Sequence, residues 1–398
     1  MEGMLTGFLQ KGRSEDQIIS ERRTRILNTI RNAGLDGALY ATGANLQYVS
    51  ECTNYFWQRS CMNNIGGRQS SHILPEAVLW LSAEGDCRIV CIPRLKDDFP
   101  GCEVIPSYFD QMEDTLSFFV RGKKIGIGSD CAGWLSGAVK DIVPEAEAVD
   151  AELLLKDLRK VKDAREIEQL RYMARFTDQA IMYVAENFRE GMTMAEAEDM
   201  LMRYGMEHGM DDFSFPPTIG FKTRGTFTAE QNYDFPRTNR LLPNTGIAFD
   251  IGFVKDGYCS DWGRTLYWGE APEYIREGYK VLQDAQVNMI RSIVPYKTNV
   301  NETYKMITDY VEAHGYGKYF RKQEHGMNGH QIGIDCHEFP ILADYEDEVM
   351  LPGMVFCSEP KMMFPGEMYM RVEDMILITE TGAESLSLFP RDLFELHR

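Results

Sequence analysis

Apolar positions recur along the chain at two different periods, and the switches between those periods divide it into elements. Near the N-terminus, Ser14 and Gln17 have the spacing of a capping box, and Ile26 and Ile30 follow four residues apart. Gly34 ends the run, which predicts a helix over residues 14–33. Short apolar stretches bounded by turn residues come next: Gly37–Tyr40, Ala77–Leu81, Arg88–Ile92 and Lys124–Gly128. Each has the length of a strand rather than a helix. Strands interspersed with helix predict a small α/β domain over residues 1–155.

A charged stretch, Lys156–Arg165, then precedes a long helical pattern carried by Ile167, Leu170, Ala174, Ile181, Val184 and Phe188. This is the expected domain boundary. Thr193 and Glu196 form another capping box, opening a helix to about His208, and Ile275, Tyr279, Leu282, Met289 and Ile293 mark a helix over about 272–293. Strand-like segments Gly246–Asp250, Gly353–Cys357 and Asp374–Ile378 lie between and after these helices. Helices grouped between runs of strands predict an α+β domain over residues 156–398.

Length supports the division, because 398 residues exceed what one hydrophobic core normally serves. A formal net charge of −19 removes the basic footprint that nucleic-acid binding requires, so no nucleic-acid partner is expected. The same charge leaves room for carboxylates that gather around cations. Nine cysteines are an odd number and none form a CxxC pair, which reads as reduced thiols. No apolar stretch reaches the length of a membrane span and the first residues lack a secretory h-region, so the expectation is a cytoplasmic protein without a membrane partner.

The candidate chemistry sits in the second half. Asp250 ends an apolar strand, and Asp261 follows after a turn at Lys255-Asp256-Gly257, so a hairpin would bring the two carboxylates together. A buried Asp is costly unless something pairs with it, and a shared cation is the simplest partner for two of them. On their own they read first as turn or edge carboxylates. The later residues shift the balance: His330 between Gly329 and Gln331, then His337-Glu338-Phe339-Pro340, Ser358-Glu359-Pro360 and Arg371-Val372-Glu373. Oxygen ligands with one imidazole suit Mn²⁺, Co²⁺, Fe²⁺ or Zn²⁺.

With these residues in this order, the chain from about Leu153 to Leu388 resembles the pita-bread metallohydrolases: methionine aminopeptidases, Xaa-Pro aminopeptidases, prolidases and creatinases. The resemblance implies a pita-bread catalytic domain behind a smaller creatinase/prolidase-type α/β domain. It implies two divalent ions, manganese before cobalt, iron or zinc, with Asp250 holding one, Asp261 and Glu373 shared, and His330 and Glu359 completing the other. Glu359 would carry the proton from water to the leaving nitrogen, His337 would donate to the oxyanion, and Arg371 would orient Glu373 or a substrate carboxylate.

Two positions depart from the peptidase pattern or extend it. In the segment ending at Pro236, Tyr233 stands where prolidase-like peptidases carry a histidine, and a phenol donates a hydrogen bond without an imidazolium charge. Asn54–Arg59 is an aromatic cluster ending in arginine, similar to the creatinase segment that reaches the partner subunit's active site, so Arg59 is a candidate carboxylate anchor in a homodimer. An interdomain packing loop would have the same composition. The expected activity is hydrolysis of a C–N bond in a small, carboxylate-bearing or dipeptide substrate. A non-peptide C–N substrate of creatine or ectoine type and a metal-dependent lyase acting on a small zwitterion are the alternatives. A peptide-binding scaffold without catalysis would be expected to lose metal ligands, and all five are present.

Overall fold

The computed structural model describes residues 15–41, 43–53, 76–128, 132–231, 234–321 and 327–397. Ser14, Arg59 and Tyr233 lie outside the described residues. The chain separates into two compact units, the first ending at Arg159 and the second beginning at Lys160. Among the described residues no helix is long and apolar enough to cross a membrane.

Among its described residues the first unit has six strands: β1 (Gly37–Tyr40), β2 (Ala77–Ser82), β3 (Cys87–Cys91), β4 (Glu103–Pro106), β5 (Lys124–Ile127) and β6 (Glu147–Asp150). They form one sheet in the order β4-β3-β2-β1-β5-β6. β2 runs antiparallel to β1 and β3, and the outer pairings are parallel. Helices α1 (Glu15–Asn32), α2 (Gly43–Ser50), α3 (Met112–Ser117), α4 (Ala132–Ile142) and α5 (Lys156–Arg159) complete it. β1 and β2 are buried along their whole length, which explains their unbroken apolar sequence.

Among its described residues the second unit has four longer helices: α6 (Ala164–Asn187), α7 (Met194–Glu207), α8 (Glu273–Ser292) and α9 (Val300–Ala313). Three of them open with reciprocal capping boxes, Asp163 with Glu166, Thr193 with Glu196 and Asn299 with Glu302. In each, the cap side chain accepts a first-turn N–H while the Glu accepts the cap's own N–H.

Its strands begin with β7 (Asp212–Phe213), β8 (Thr218–Thr223), β9 (Thr245–Ile251), β10 (Phe253–Lys255), β11 (Tyr258–Cys259) and β12 (Trp262–Trp268). They continue with β13 (Met327–Gln331), β14 (Glu338–Ala343), β15 (Val355–Ser358), β16 (Lys361–Phe364), β17 (Met368–Arg371), β18 (Asp374–Ile378), β19 (Ala383–Ser385) and β20 (Phe394–Leu396). Two sheets carry the structure, one ordered β20-β12-β9-β8 and the other β14-β13-β15-β18-β19.

Each sheet is backed by its own helices. Leu201, Ile219, Phe249 and Leu266 share a core with α6 and α7, whereas Tyr267, Phe356, Met370 and Ile376 share one with α8 and α9. Neighbouring residues Leu266 and Tyr267 of β12 therefore point into different cores, as the two-residue strand period requires. Each fully buried Leu, Ile or Phe contributes about 1.5–3 kcal/mol by leaving water. The helix pairs thereby clamp the two sheets and fix the strand ends that carry the site.

Candidate metal centre

The hairpin between β10 and β11 turns at Asp256 and Gly257, whose φ values are 50° and 76°. Two successive positive values are what a two-residue turn matched to strand twist requires, and Asp-Gly is suited to both. β9 and β12 then pair so that Asp250 stands opposite Gly263, two residues beyond Asp261. On the second sheet, β13 sets His330 opposite Cys357 of β15. Glu359 follows β15 and Glu373 precedes β18. The two sheets are stitched at the site itself, where Glu373 N donates to Gly263 O at 2.8 Å.

Asp261, His330, Cys357 and Glu373 each offer a ligand atom within 4.8 Å of the others, and all four are buried. His330 Nδ1 lies 2.9 Å from Gln331 O, a pure acceptor, so Nδ1 carries the proton and Nε2 faces the cluster, 3.4 Å from Asp261 Oδ2. Arg371 joins the remaining acids, reaching Asp250 at 2.6 Å, Glu373 at 3.1 Å and Glu359 at 3.4 Å. Lys361 pairs with Glu359. His337 sits edge-on to His330 with ring centroids 4.2 Å apart, and it forms a second close group with Asp261 and Cys336.

Burial pushes the Glu373 carboxyl well above the usual carboxylate range, and the neighbouring Asp261 charge pushes it further. Asp250 is also raised by burial, against the opposing pull of Arg371. Glu359 differs: burial would raise it, but Lys361 and Arg371 hold it down at about 2. Burial lowers His337, and the nearby His330 adds to that, whereas Asp261 outweighs burial at His330 and raises it. The thiols of Cys336 and Cys357 are pushed far up by burial and by the Asp261 charge.

These residues fit a divalent metal. Asp261 Oδ1 and Glu373 Oε1 are buried without a hydrogen-bond partner, on residues only 4% and 0% exposed. Buried polar atoms are normally satisfied, and two bare carboxylate oxygens side by side cost several kcal/mol unless a cation joins them. A Cβ added at Gly263 would lie 2.2 Å from Arg371 Cδ and 2.7 Å from Glu373 Oε2, so the strand approaches the carboxylates too closely for any side chain there.

The model of metallopeptidase family M24 matches residues 168–380. The chain belongs to family M24. Its fold is a pita-bread C-terminal domain preceded in sequence by an N-terminal domain, and the family is a metal-dependent one. An uncharacterized peptidase of Staphylococcus aureus (strain USA300) is 28% identical over 242 residues, covering 61% of this chain. The chain spans 66% of the length of that relative. Among solved structures, a dipeptidase from Pyrococcus horikoshii OT3 superposes with a TM-score of 0.77 at 24% identity, over 94% of this chain and 100% of that one. An Xaa-Pro dipeptidase from Bacillus anthracis gives 0.77 at 24% identity, over 95% and 100%.

Of the residues expected from sequence, Asp261, His330 and Glu373 lie together with Cys357, Arg371 links Glu373 to Asp250 and Glu359, and several other residues support them. Gln286 on α8 donates to Ser358 O at 2.7 Å and to Val372 O at 3.4 Å, which anchors the residues preceding Glu359 and Glu373. Arg264 grips the Glu373 carbonyl and the Asp374 carboxylate from β12. Lys361, Cys336 and Cys357 also escape the sequence reading. For Lys361 a signal exists, because Glu359-Pro360-Lys361 and Arg371-Val372-Glu373 both place opposite charges two residues apart.

Proposed function

We propose that this M24 protein hydrolyses a C–N bond in a small, carboxylate-bearing substrate, with an Xaa-Pro dipeptide as the leading candidate, using two divalent ions. Asp250 would hold one ion, Asp261 and Glu373 both, and His330 and Glu359 the other, with manganese the first metal to test. The observation that carries this reading is the pair of unpartnered, buried oxygens on Asp261 and Glu373 beside the inward-facing Nε2 of His330. Such ions supply Lewis acidity, polarising a carbonyl and lowering the pKa of water toward about 7.

The chain's own residues do the rest. Glu359, kept ionised by Lys361 and Arg371, accepts a proton from the attacking water and passes it to the leaving nitrogen. His337, held neutral at pH 7 by burial, donates its N–H to the developing oxyanion. Arg371, which pairs with Asp250 and Glu373, orients Glu373 or a substrate carboxylate. Tyr233 and Arg59 would complete the substrate pocket, Arg59 from the partner in a cytoplasmic homodimer.

Tyr233 in place of the peptidase histidine favours a second reading, a non-peptide C–N substrate. A panel of Xaa-Pro dipeptides run beside creatine-like and ectoine-like compounds, each with Mn²⁺ add-back, separates the two. In either case Glu359→Gln should lower kcat by about 10²-fold or more. Undiminished turnover by that variant, or turnover by chelated enzyme, refutes the proposal.

A further inference from the structure

Two cysteines of the first unit stand side by side. β3 and β4 pair in parallel with Arg88 opposite Glu103, so one position earlier Cys87 faces Cys102. Arg88 Nε donates to Glu103 Oε2 at 2.8 Å and holds that register on one face. The two thiols turn to the other face, because successive side chains of a strand alternate. Cys87 Sγ lies 3.3 Å from Cys102 Sγ. Neighbouring strands run about 4.8 Å apart, inside the range of about 4.4–6.8 Å between Cα atoms that a disulfide spans. The sulfurs therefore close to bonding distance, about 2 Å, by side-chain rotation with little movement of the backbone.

The chain before Cys102 is fixed from two sides. Gly101 N donates to Ser50 O at 2.8 Å, at the end of α2, and Gly101 O accepts from the Arg23 guanidinium of α1. A Cβ at Gly101 would stand 2.6 Å from Ser50 O, so glycine alone allows this approach. Cys87 is 7% exposed and Cys102 is partly exposed, which leaves the pair within reach of a small solute from the Cys102 side. The hydrogen bond from Cys102 lowers the Cys87 thiol pKa against burial, and Arg23 adds to that; Cys102, as the donor, is pushed far up. Cys91, further along β3, faces Pro106 rather than a thiol, and burial raises it to about 11.

We propose that Cys87 and Cys102 are a redox-active dithiol that a hydroperoxide converts to a reversible disulfide. Every residue involved belongs to the first unit, so the proposal is independent of the metal centre. The Cys87 thiolate attacks one peroxide oxygen, the O–O bond breaks, hydroxide leaves and Cys87 becomes a sulfenic acid. The Cys102 sulfur then attacks the Cys87 sulfur, the S–O bond breaks, and water departs with the Cys102 proton. Hydroxide takes up the proton that Cys87 gave up. Two thiols are thus oxidised while one peroxide is reduced to two waters, and a dithiol reductant reverses the change by exchange. The product ties β4, an edge strand of its sheet, to β3.

The test exposes reduced full-length protein to hydrogen peroxide, alkylates the remaining thiols and maps the unreduced digest by mass spectrometry. A Cys87–Cys102 linked peptide should exceed any other cysteine pair by about tenfold and vanish on treatment with dithiothreitol. Amide hydrogen exchange in β4 should slow by about tenfold in the oxidised protein. Cys91→Ser should link as wild type does. Cys102→Ser should stop at a sulfenic acid on Cys87, trapped by dimedone. A wild-type digest without the linked peptide, or with either cysteine joined instead to Cys52 or Cys91, overturns the proposal without any variant. A folded Cys102→Ser protein that gives no dimedone adduct at Cys87 overturns the assignment of Cys87 as the attacking thiol.

Discussion

Gly263→Ala provides the most direct test of how tightly the centre is built. Gly263 pairs with Asp250 across β9 and β12 and accepts a hydrogen bond from Glu373 N, so its missing side chain faces the carboxylates. A methyl group there would stand 2.2 Å from Arg371 Cδ, 2.7 Å from Glu373 Oε2 and 2.9 Å from Arg371 Cγ. An exposed arginine would swing away at little cost. Arg371 is 6% exposed and tied to Asp250, Glu373 and Glu359, so it cannot move without breaking charge-assisted contacts. Overpacking costs about 1–3 kcal/mol, and a loosened buried ion pair brings the expected total to about 3 kcal/mol. For a domain of this size that lowers Tm by about 6–12 °C. Thermal melts of the metal-stripped protein read the stability loss, and Mn²⁺ titration reads the displaced carboxylates as weaker binding. Gly382→Ala is the control, because its Cβ would meet only Ile293 O, at 3.9 Å, and it should stay within about 0.5 kcal/mol of wild type. A Gly263→Ala protein melting within about 2 °C of wild type, with unchanged Mn²⁺ affinity, would refute the packing argument.

What the sequence makes legible follows from the range of the forces involved. Local period and capping predict helices closely: residues 272–293 are expected and Glu273–Ser292 is found, while Thr193 and Glu196 cap α7. α9 goes unassigned, although Val300, Tyr304, Ile307 and Val311 follow a helical period, because its box opens with Asn299 rather than Ser or Thr. The acids and His330 are readable for a chemical reason, since charged groups at the ends of apolar strands need a partner. Arg264 and Asp374 lie 110 residues apart and meet only where the two sheets come together at the Gly263–Glu373 bridge. Nothing local in either segment signals that contact. Lys361 is similar, since its position two residues after Glu359 is readable but the facing Arg371 emerges only from the β16–β17 pairing.

Two further perturbations probe the scaffold beneath the centre. Asp374 is fully buried between Arg264, itself 1% exposed, and Arg391 at 2.6 Å. Asp374→Ala should cost about 3–5 kcal/mol in urea denaturation because it strands the Arg264 charge, and a loss under 1 kcal/mol would contradict that. Asp178 carries a pH effect of the opposite sign to most carboxylates. Its side chain accepts from Trp262 Nε1 at 2.8 Å and from Leu388 N at 2.5 Å, yet burial still raises its pKa above the ordinary value. A carboxyl raised on folding binds its proton more tightly in the native state, so ionisation costs stability at pH 7. That cost is fully present above the folded pKa and is relieved as pH falls through it toward the unfolded value near 3.9. Wild type should therefore gain stability relative to Asp178→Asn between pH 7 and pH 4, read as a converging or reversing difference in urea midpoints. A wild type that instead loses ground as the pH falls would mean that the hydrogen bonds from Trp262 and Leu388 outweigh desolvation at this site.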